Sequence, residues 1–217
     1  MPSRTIAIGD IHGCSRALRA IMEAIQPAAD DTLVLLGDYV DRGPDSRGVL
    51  DFVLDLERVC RIVPLLGNHE LMLLDALQNL SVIGPWLECG GDATVRSYDG
   101  QLSNIPREHL AFLGRCKRYY EAPTHFFVHA NYAADMPLDE QPDFLLFWEH
   151  LNFHIPAPHI NGKHAIVGHT AQKTGEILDL GHVVCLDTYC HGGGWLSAMD
   201  VETGQFWQAD RHGGVRH

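Results

Sequence analysis

No apolar run in this sequence approaches the length of a membrane span, so a helical membrane protein is not expected. The opening Met1-Pro2-Ser3-Arg4 lacks the long apolar stretch and cleavage site of a signal peptide, and a cytoplasmic location is expected. Basic residues are scarce, 16 against 28 acidic ones, for a net charge of −12. That balance disfavours a nucleic acid or an anionic membrane as partner, since both demand a basic footprint. It does not exclude a small anionic substrate, because a local site can be positive on a negative body. The six cysteines include no CxxC pair and no structural-zinc spacing, so reduced and mostly buried thiols are expected. Internal repeats, low-complexity tracts and linkers are also missing. With 217 residues, 46% hydrophobic and 20% charged, the chain has the composition of one globular domain spanning 1–217. Its polar, glycine-containing end, 210–217, is expected to fray.

Five short aliphatic runs end in glycine or a polar residue: Thr5–Asp10, Thr32–Asp38, Arg61–Asn68, His125–His129 and His164–His169. Each reads as a buried strand. Between the first three lie helical periods, with Leu18, Ile21, Met22 and Ile25 in Cys14–Ile25, and Leu50, Val53, Leu54 and Leu56 in Val49–Val59. The steps from Asp10 to Asp38 and from Asp38 to Asn68 are 28 and 30 residues, the length of one strand–helix–strand unit. Functional groups in such units collect at the carboxyl ends of the strands, so Asp10, Asp38 and Asn68 should share one sheet edge. Leu71–Leu80 and Arg107–Arg115 read as further helices, with Pro85–Gly91 as a break. The final third reads as strands at Val183–Leu186, Trp195–Val201 and Gln205–Ala209, with Glu202-Thr203-Gly204 as a hairpin turn.

Chemistry concentrates in Gly9-Asp10-Ile11-His12-Gly13, in Gly37-Asp38-Tyr39-Val40-Asp41-Arg42-Gly43 and in Gly67-Asn68-His69-Glu70. Phe127-Val128-His129-Ala130 and Gly168-His169-Thr170 follow. Carboxylate, amide and imidazole groups at successive strand ends, without thiolate, suit Mn, Fe(II) or Zn better than a soft metal or a structural zinc.

In these motifs and in their order and spacing, the sequence resembles the phosphoprotein phosphatase family of metallophosphoesterases, in particular its small bacterial and bacteriophage serine/threonine phosphatases. The resemblance runs from Ile6 to about Ala209. It implies a four-layer α/β/β/α sandwich with mixed central sheets. It implies two divalent ions, Mn²⁺ first and Fe or Zn as options, with Asp10 and His12 on one, Asp38 bridging, and Asn68, His129 and His169 on the other. It makes Arg42 a phosphate clamp and His69 the acid for the leaving group, with Asp41 as its orienting carboxylate. Glu70 is expected to support the turn rather than react. The implied activity is in-line attack on phosphorus by a hydroxide that the two metals activate, most naturally on phosphorylated protein or peptide. Hydrolysis of a nucleotide or a dinucleoside polyphosphate is the alternative, and a metal-binding pseudoenzyme the weakest reading.

The sequence departs from the family in places. A second phosphate-binding arginine is common after the tryptophan that matches Trp148, and His150 stands there instead. His150 is read as a weaker phosphate donor or as an ordinary helix histidine. Asn131 and Ala171 replace a common glycine and proline. His191, in the glycine-rich run 187–195, is read as structural or as lining the substrate opening. Gly90–Thr94 is read as a turn between helical pieces.

Overall fold

The computed structural model describes residues 3–216. Its two sheets follow from strand alternation. β1 (Thr5–Ile8), β2 (Thr32–Leu35) and β3 (Arg61–Pro64) are parallel neighbours, joined by α1 (Ser15–Ile25) and α2 (Ser46–Leu56). The first sheet continues past β1 with antiparallel β9 (Trp195–Asp200), β10 (Phe206–Asp210) and β11 (Val215–Arg216), in the order β11-β10-β9-β1-β2-β3. The second sheet runs β4 (Tyr119–Glu121), β5 (His125–Val128), β6 (His164–Val167), β8 (Val183–Cys185), β7 (Leu178–Asp179).

Because side chains alternate along a strand, each sheet has two apolar faces to cover. Ala7, Val34, Val63, Phe127, Ile166 and Val184 point between the sheets and form the central core. Ile6, Ile8, Leu33 and Leu35 point outward against Leu18, Ile21 and Val53 of the first two helices. Phe126, Val128, Ala165 and Val167 point the other way, against Leu146 and Phe147 of α7 (Asp143–Trp148). The result is the four-layer α/β/β/α sandwich with mixed sheets. Among the described residues no helix is long and apolar enough to cross a membrane.

The middle of the chain differs from the sequence reading. α3 (Asn68–Gln78) begins at the motif itself. Pro85 does not break the chain's helical course. It lies in the first turn of α4 (Ile83–Trp86), where a missing N–H costs no hydrogen bond. The kink comes at Gly90, with φ of 111°, before α5 (Asp92–Ser97); α6 (Arg107–Gly114) follows. The expected fraying of 210–217 is also corrected. β11 pairs with β10, matching Val215 to Ala209 and Arg216 to Gln208, while Asp210 accepts the N–H groups of His212 and Gly214. Asp and Gly are turn chemistry as readily as tail composition, and Gly213 takes the φ of 95° that the turn needs. His217 lies outside the described residues.

One buried carboxylate locks the start of the first sheet. Asp31 pairs with Arg4 at 2.5 Å and accepts the backbone N–H groups of Arg4 and Ala28. Burial works against its charge, but the guanidinium and the two amides outweigh it and hold the carboxyl down to about 2. A carboxyl depressed in this way stabilises above its unfolded value near 4, and that stability is lost as pH falls toward 2. Asp31→Asn is therefore expected to cost about 2 kcal/mol at pH 7 and roughly half that near pH 3. Urea unfolding at both pH values checks this, and a cost independent of pH would refute it.

Candidate metal centre

The parallel strands of both sheets release their functional residues at one edge. β1 delivers Asp10 and His12, β2 delivers Asp38, β3 delivers Asn68 and His69, β5 delivers His129 and β6 delivers His169. All but His169 are at least nine-tenths buried. His12, Asp38, Asp41, Arg42 and His169 each hold φ between 43° and 70°. Such conformations cost roughly 1–2 kcal/mol per non-glycine residue and persist only when surroundings impose them. The imposing group at Asp38 is Glu70, whose carboxylate accepts the N–H groups of Asp38, Tyr39, Val40 and Gly67 at 2.8–3.3 Å. Gly67 is required there, because any Cβ would strike the side chain of Asp38 and its backbone nitrogen.

Asp38 is the common member of two clusters. Ligand atoms of His12, Asp38 and His69 lie within 4.8 Å of one another, as do those of Asp38, His129 and His169. Asn68 joins the second through its Oδ1, 3.0 Å from His129 Nε2. Asp10 stands beside the centre, its oxygens accepting the N–H of His169 at 3.0–3.1 Å. The two clusters contain His69, which the sequence reading assigned to proton transfer, and omit Asp10, which it assigned to a metal.

The hydrogen bonding fits cations. Three imidazoles are oriented by backbone carbonyls: His12 Nδ1 by Val40 at 2.9 Å, His129 Nδ1 by Leu36 at 2.8 Å and His169 Nε2 by Trp148 at 3.2 Å. Such bonds fix the tautomer and leave the other ring nitrogen with a lone pair. For His12 that nitrogen faces an Asp38 oxygen at 3.3 Å, and for His129 it faces Asn68 Oδ1. At His12 the nitrogen also accepts from Arg42 Nη1 at 3.1 Å, while at His129 two acceptors face each other, an arrangement that a cation relieves. Burial enforces it: it pushes His12 well below the ordinary histidine range, His129 down to about 3 and His169 to about 2, so all three are neutral. Burial, followed by neighbouring carboxylates, raises Asp10 and Asp38 well above the carboxylate range. Neutral imidazoles and strained carboxylates with no thiolate are the donor set of a hard or borderline divalent ion.

Around this centre the second group of residues assembles. His69 Nδ1 donates to Asp41 Oδ2 at 2.8 Å, and its buried Nε2 has no partner among the described residues. Asp41 is fully buried and also accepts from Trp86 Nε1 at 2.8 Å and Thr94 Oγ1 at 2.6 Å. The Arg42 N–H donates to the Gly90 carbonyl at 3.0 Å, and its Nη1 donates to His12 Nε2 at 3.1 Å. The segment read as a turn at Gly90–Thr94 thus supports both Asp41 and Arg42. Sequence reasoning missed Trp86, Thr94 and Asp187. Asp187 is 2% exposed with Oδ2 unpartnered, and burial pushes its carboxyl up to about 6. Its only sequence signal was its place before the glycine-rich run.

His150 follows α7 rather than lying on it, and its ring stacks on His169 at 4.2 Å and 25°. His191 packs edge-on against His12 at 4.8 Å. Both histidines adjoin the centre, so neither is an ordinary surface residue.

The calcineurin-like phosphoesterase family profile matches residues 3–194. The chain is 30% identical to serine/threonine-protein phosphatase 1 of Salmonella typhimurium, with 90% of each chain covered. It is 47% identical to the symmetrical bis(5'-nucleosyl)-tetraphosphatase of Proteus mirabilis over 78 residues, which are 36% of this chain and 28% of that enzyme's length. A crystal structure of a protein proposed to be a diadenosine tetraphosphatase shares the fold, with a TM-score of 0.73, 24% identity and coverage of 95% of this chain and 93% of that one. A cold-active protein-tyrosine phosphatase from a psychrophilic Shewanella also shares it, with a TM-score of 0.70, 16% identity and coverage of 99% and 80%.

Proposed function

This chain belongs to the calcineurin-like phosphoesterase family, and from that premise we propose a two-metal phosphomonoesterase that removes phosphate from serine and threonine in proteins. The observation that carries the reading is the His69–Asp41 pair. A serine or threonine alkoxide is a poor leaving group and needs a proton as the P–O bond breaks. As an imidazolium His69 would offer one at Nε2: Asp41 accepts the Nδ1–H and leaves Nε2 without a partner among the described residues. Trp86 and Thr94 hold Asp41 in turn, so the acid has a fixed bearing. The full-length likeness to the Salmonella phosphatase supports the same reading.

Asp10, His12 and Asp38 would hold one cation, and Asp38, Asn68, His129 and His169 the other. Mn²⁺ is proposed first, with Fe or Zn as options. When bound, the pair supplies an activated water and neutralises charge on the phosphoryl oxygens. Arg42 clamps the phosphate: its planar fork suits two oxygens at once, and its contact with His12 shows that it reaches the centre. His150, stacked on His169, would add a donor when protonated.

A second reading, hydrolysis of dinucleoside polyphosphates, is supported by the local likeness to the Proteus enzyme. Metal-stripped protein refilled with Mn²⁺ is the test, assayed on a phosphoserine peptide, a phosphotyrosine peptide and diadenosine tetraphosphate. The phosphoserine peptide is expected to give the highest kcat/KM. Turnover led by the dinucleotide would replace the first reading with the second, and turnover led by phosphotyrosine would reject its choice of residue.

A further inference from the structure

A cavity of about 870 Å³ is lined by Arg42 and by none of the candidate metal ligands. Arg16, Arg96 and Arg211 also line it, so four of the chain's sixteen basic side chains border one hollow in a body of charge −12. They come from four separate parts of the fold: the loop after β2, the first turn of α1, α5, and the turn between β10 and β11. That last turn lies over α1, with a Cβ at Gly213 only 3.5 Å from the Arg16 carbonyl oxygen. Asp210 pins it, so the end of the chain is what brings Arg211 to the cavity.

The countercharges do not cancel this. Among the described residues only Arg96 of the four pairs with a carboxylate, Asp92. Asp45 also lines the cavity, but its oxygens are occupied by Ser15 Oγ at 2.5 Å and the Gly48 N–H at 2.9 Å. His191 borders it too, with Nδ1 unpartnered among the described residues. Of the four arginines, only Arg42 hydrogen-bonds a candidate metal ligand, which leaves the other three set back from the phosphate being hydrolysed.

We infer that this cavity is a subsite for a second phosphate group of the substrate, displaced from the scissile one and held by Arg16, Arg211 and Arg96. Arginine forks match phosphate oxygens in pairs, and several forks around one hollow select for a second dianion over a neutral side chain. The inference deepens the phosphoesterase reading and rests on it. The second phosphate can come from a neighbouring phosphoserine or from a phosphoanhydride chain, and the experiment separates these sources.

The Mn²⁺-loaded wild type and the Arg16→Ala/Arg211→Ala variant are compared on three substrates: a singly phosphorylated serine peptide, the same peptide with a second phosphoserine, and diadenosine tetraphosphate. Both replaced side chains are exposed, so folding should be preserved, and a thermal melt checks it. The variant is expected to raise KM at least tenfold on a substrate bearing the second phosphate, with kcat and the singly phosphorylated peptide's KM within twofold of wild type. A selective rise on the doubly phosphorylated peptide assigns the subsite to neighbouring phosphoserines, and one on the dinucleotide assigns it to a phosphate chain. Equal changes on all three substrates, or none, would overturn the subsite. Loss of peptide turnover with the dinucleotide still cleaved would reject the protein-phosphatase reading alone, and the dinucleotide KM would then judge the subsite. Calorimetric titration of the doubly phosphorylated peptide and of diadenosine tetraphosphate into the Mn²⁺-loaded His69→Asn protein, with and without the two arginines, gives a readout that does not depend on turnover. A tenfold weaker Kd without them is expected for at least one of the two, and an unchanged Kd for both refutes the subsite.

Discussion

Hydrolysis of a phosphoserine peptide by His69→Asn is expected to be about 10²–10⁴ slower than by the wild type, the range that a positioned acid supplies. In barrier terms that is about 3–5 kcal/mol. The loss should shrink toward nothing on a nitrophenyl phosphate, whose leaving group departs as a stable anion and needs little proton. Metal content should stay at two per chain. The comparison matters because the geometry allows His69 a different role: it sits within ligand distance of His12 and Asp38. A group that acts on the leaving oxygen produces a loss graded by leaving group. A group that holds a cation produces equal loss on both substrates and a lower metal count. The second pattern would move His69 from acid to ligand. Burial, the larger influence, lowers the affinity of His69 for its proton, while the bond to Asp41 raises it. Cutting that bond with Asp41→Asn should therefore leave less of the ring protonated and lower turnover without removing metal.

Asp38→Asn is expected to bring metal content from two to below one per chain and activity down by about 10³ or more, since Asp38 alone belongs to both clusters. The accompanying change in stability should have the opposite sign. In the metal-free protein Asp38 is a buried carboxylate, pushed well above the ordinary range first by burial and then by Glu70. Its amide replacement keeps an oxygen for the His69 N–H, bonded at 3.1 Å here, and tolerates the φ of 50°. Removing an uncompensated buried charge should raise the melting temperature of the metal-free form. Metal analysis and paired melts with and without Mn²⁺ check both halves. Two metals retained would contradict the bridging assignment, and a lower metal-free melting temperature would contradict the buried-charge argument.

Much of this site was legible because parallel strand–helix units are local. A strand of four or five aliphatic residues, a glycine and a ligand form one continuous word, so Asp10, Asp38 and Asn68 could be placed at one edge from a spacing of about thirty residues. His129 and His169 belong to the second sheet but end their strands the same way. Trp86 and Thr94 were not legible. They lie 45 and 53 residues from Asp41, in a segment whose proline and glycines read as a break, and nothing local marks an indole or a hydroxyl as the partner of a distant carboxylate. Of the two readings of His150, the helix histidine fails, because the short α7 stops at Trp148 and the His150 ring stacks on His169.

The sequence by itself determined the strand–helix plan of the first half, the strands of the last third and the common edge of Asp10, Asp38 and Asn68, all written in alternation, helical period and spacing. The four-layer sandwich and the ligand roles came only with the family resemblance that the motifs carry. Only the tertiary structure decided which ligands meet. It gave His69 a choice between acid and ligand and set Asp10 beside the two clusters that share Asp38. It also folded the polar end of the chain over α1 and carried Arg211 to Arg16. The physical reason is that charge, unlike hydrophobic pattern, acts through space. An arginine's role depends on which carboxylates and phosphates it faces after folding, and that depends on the packing of elements nearly two hundred residues apart.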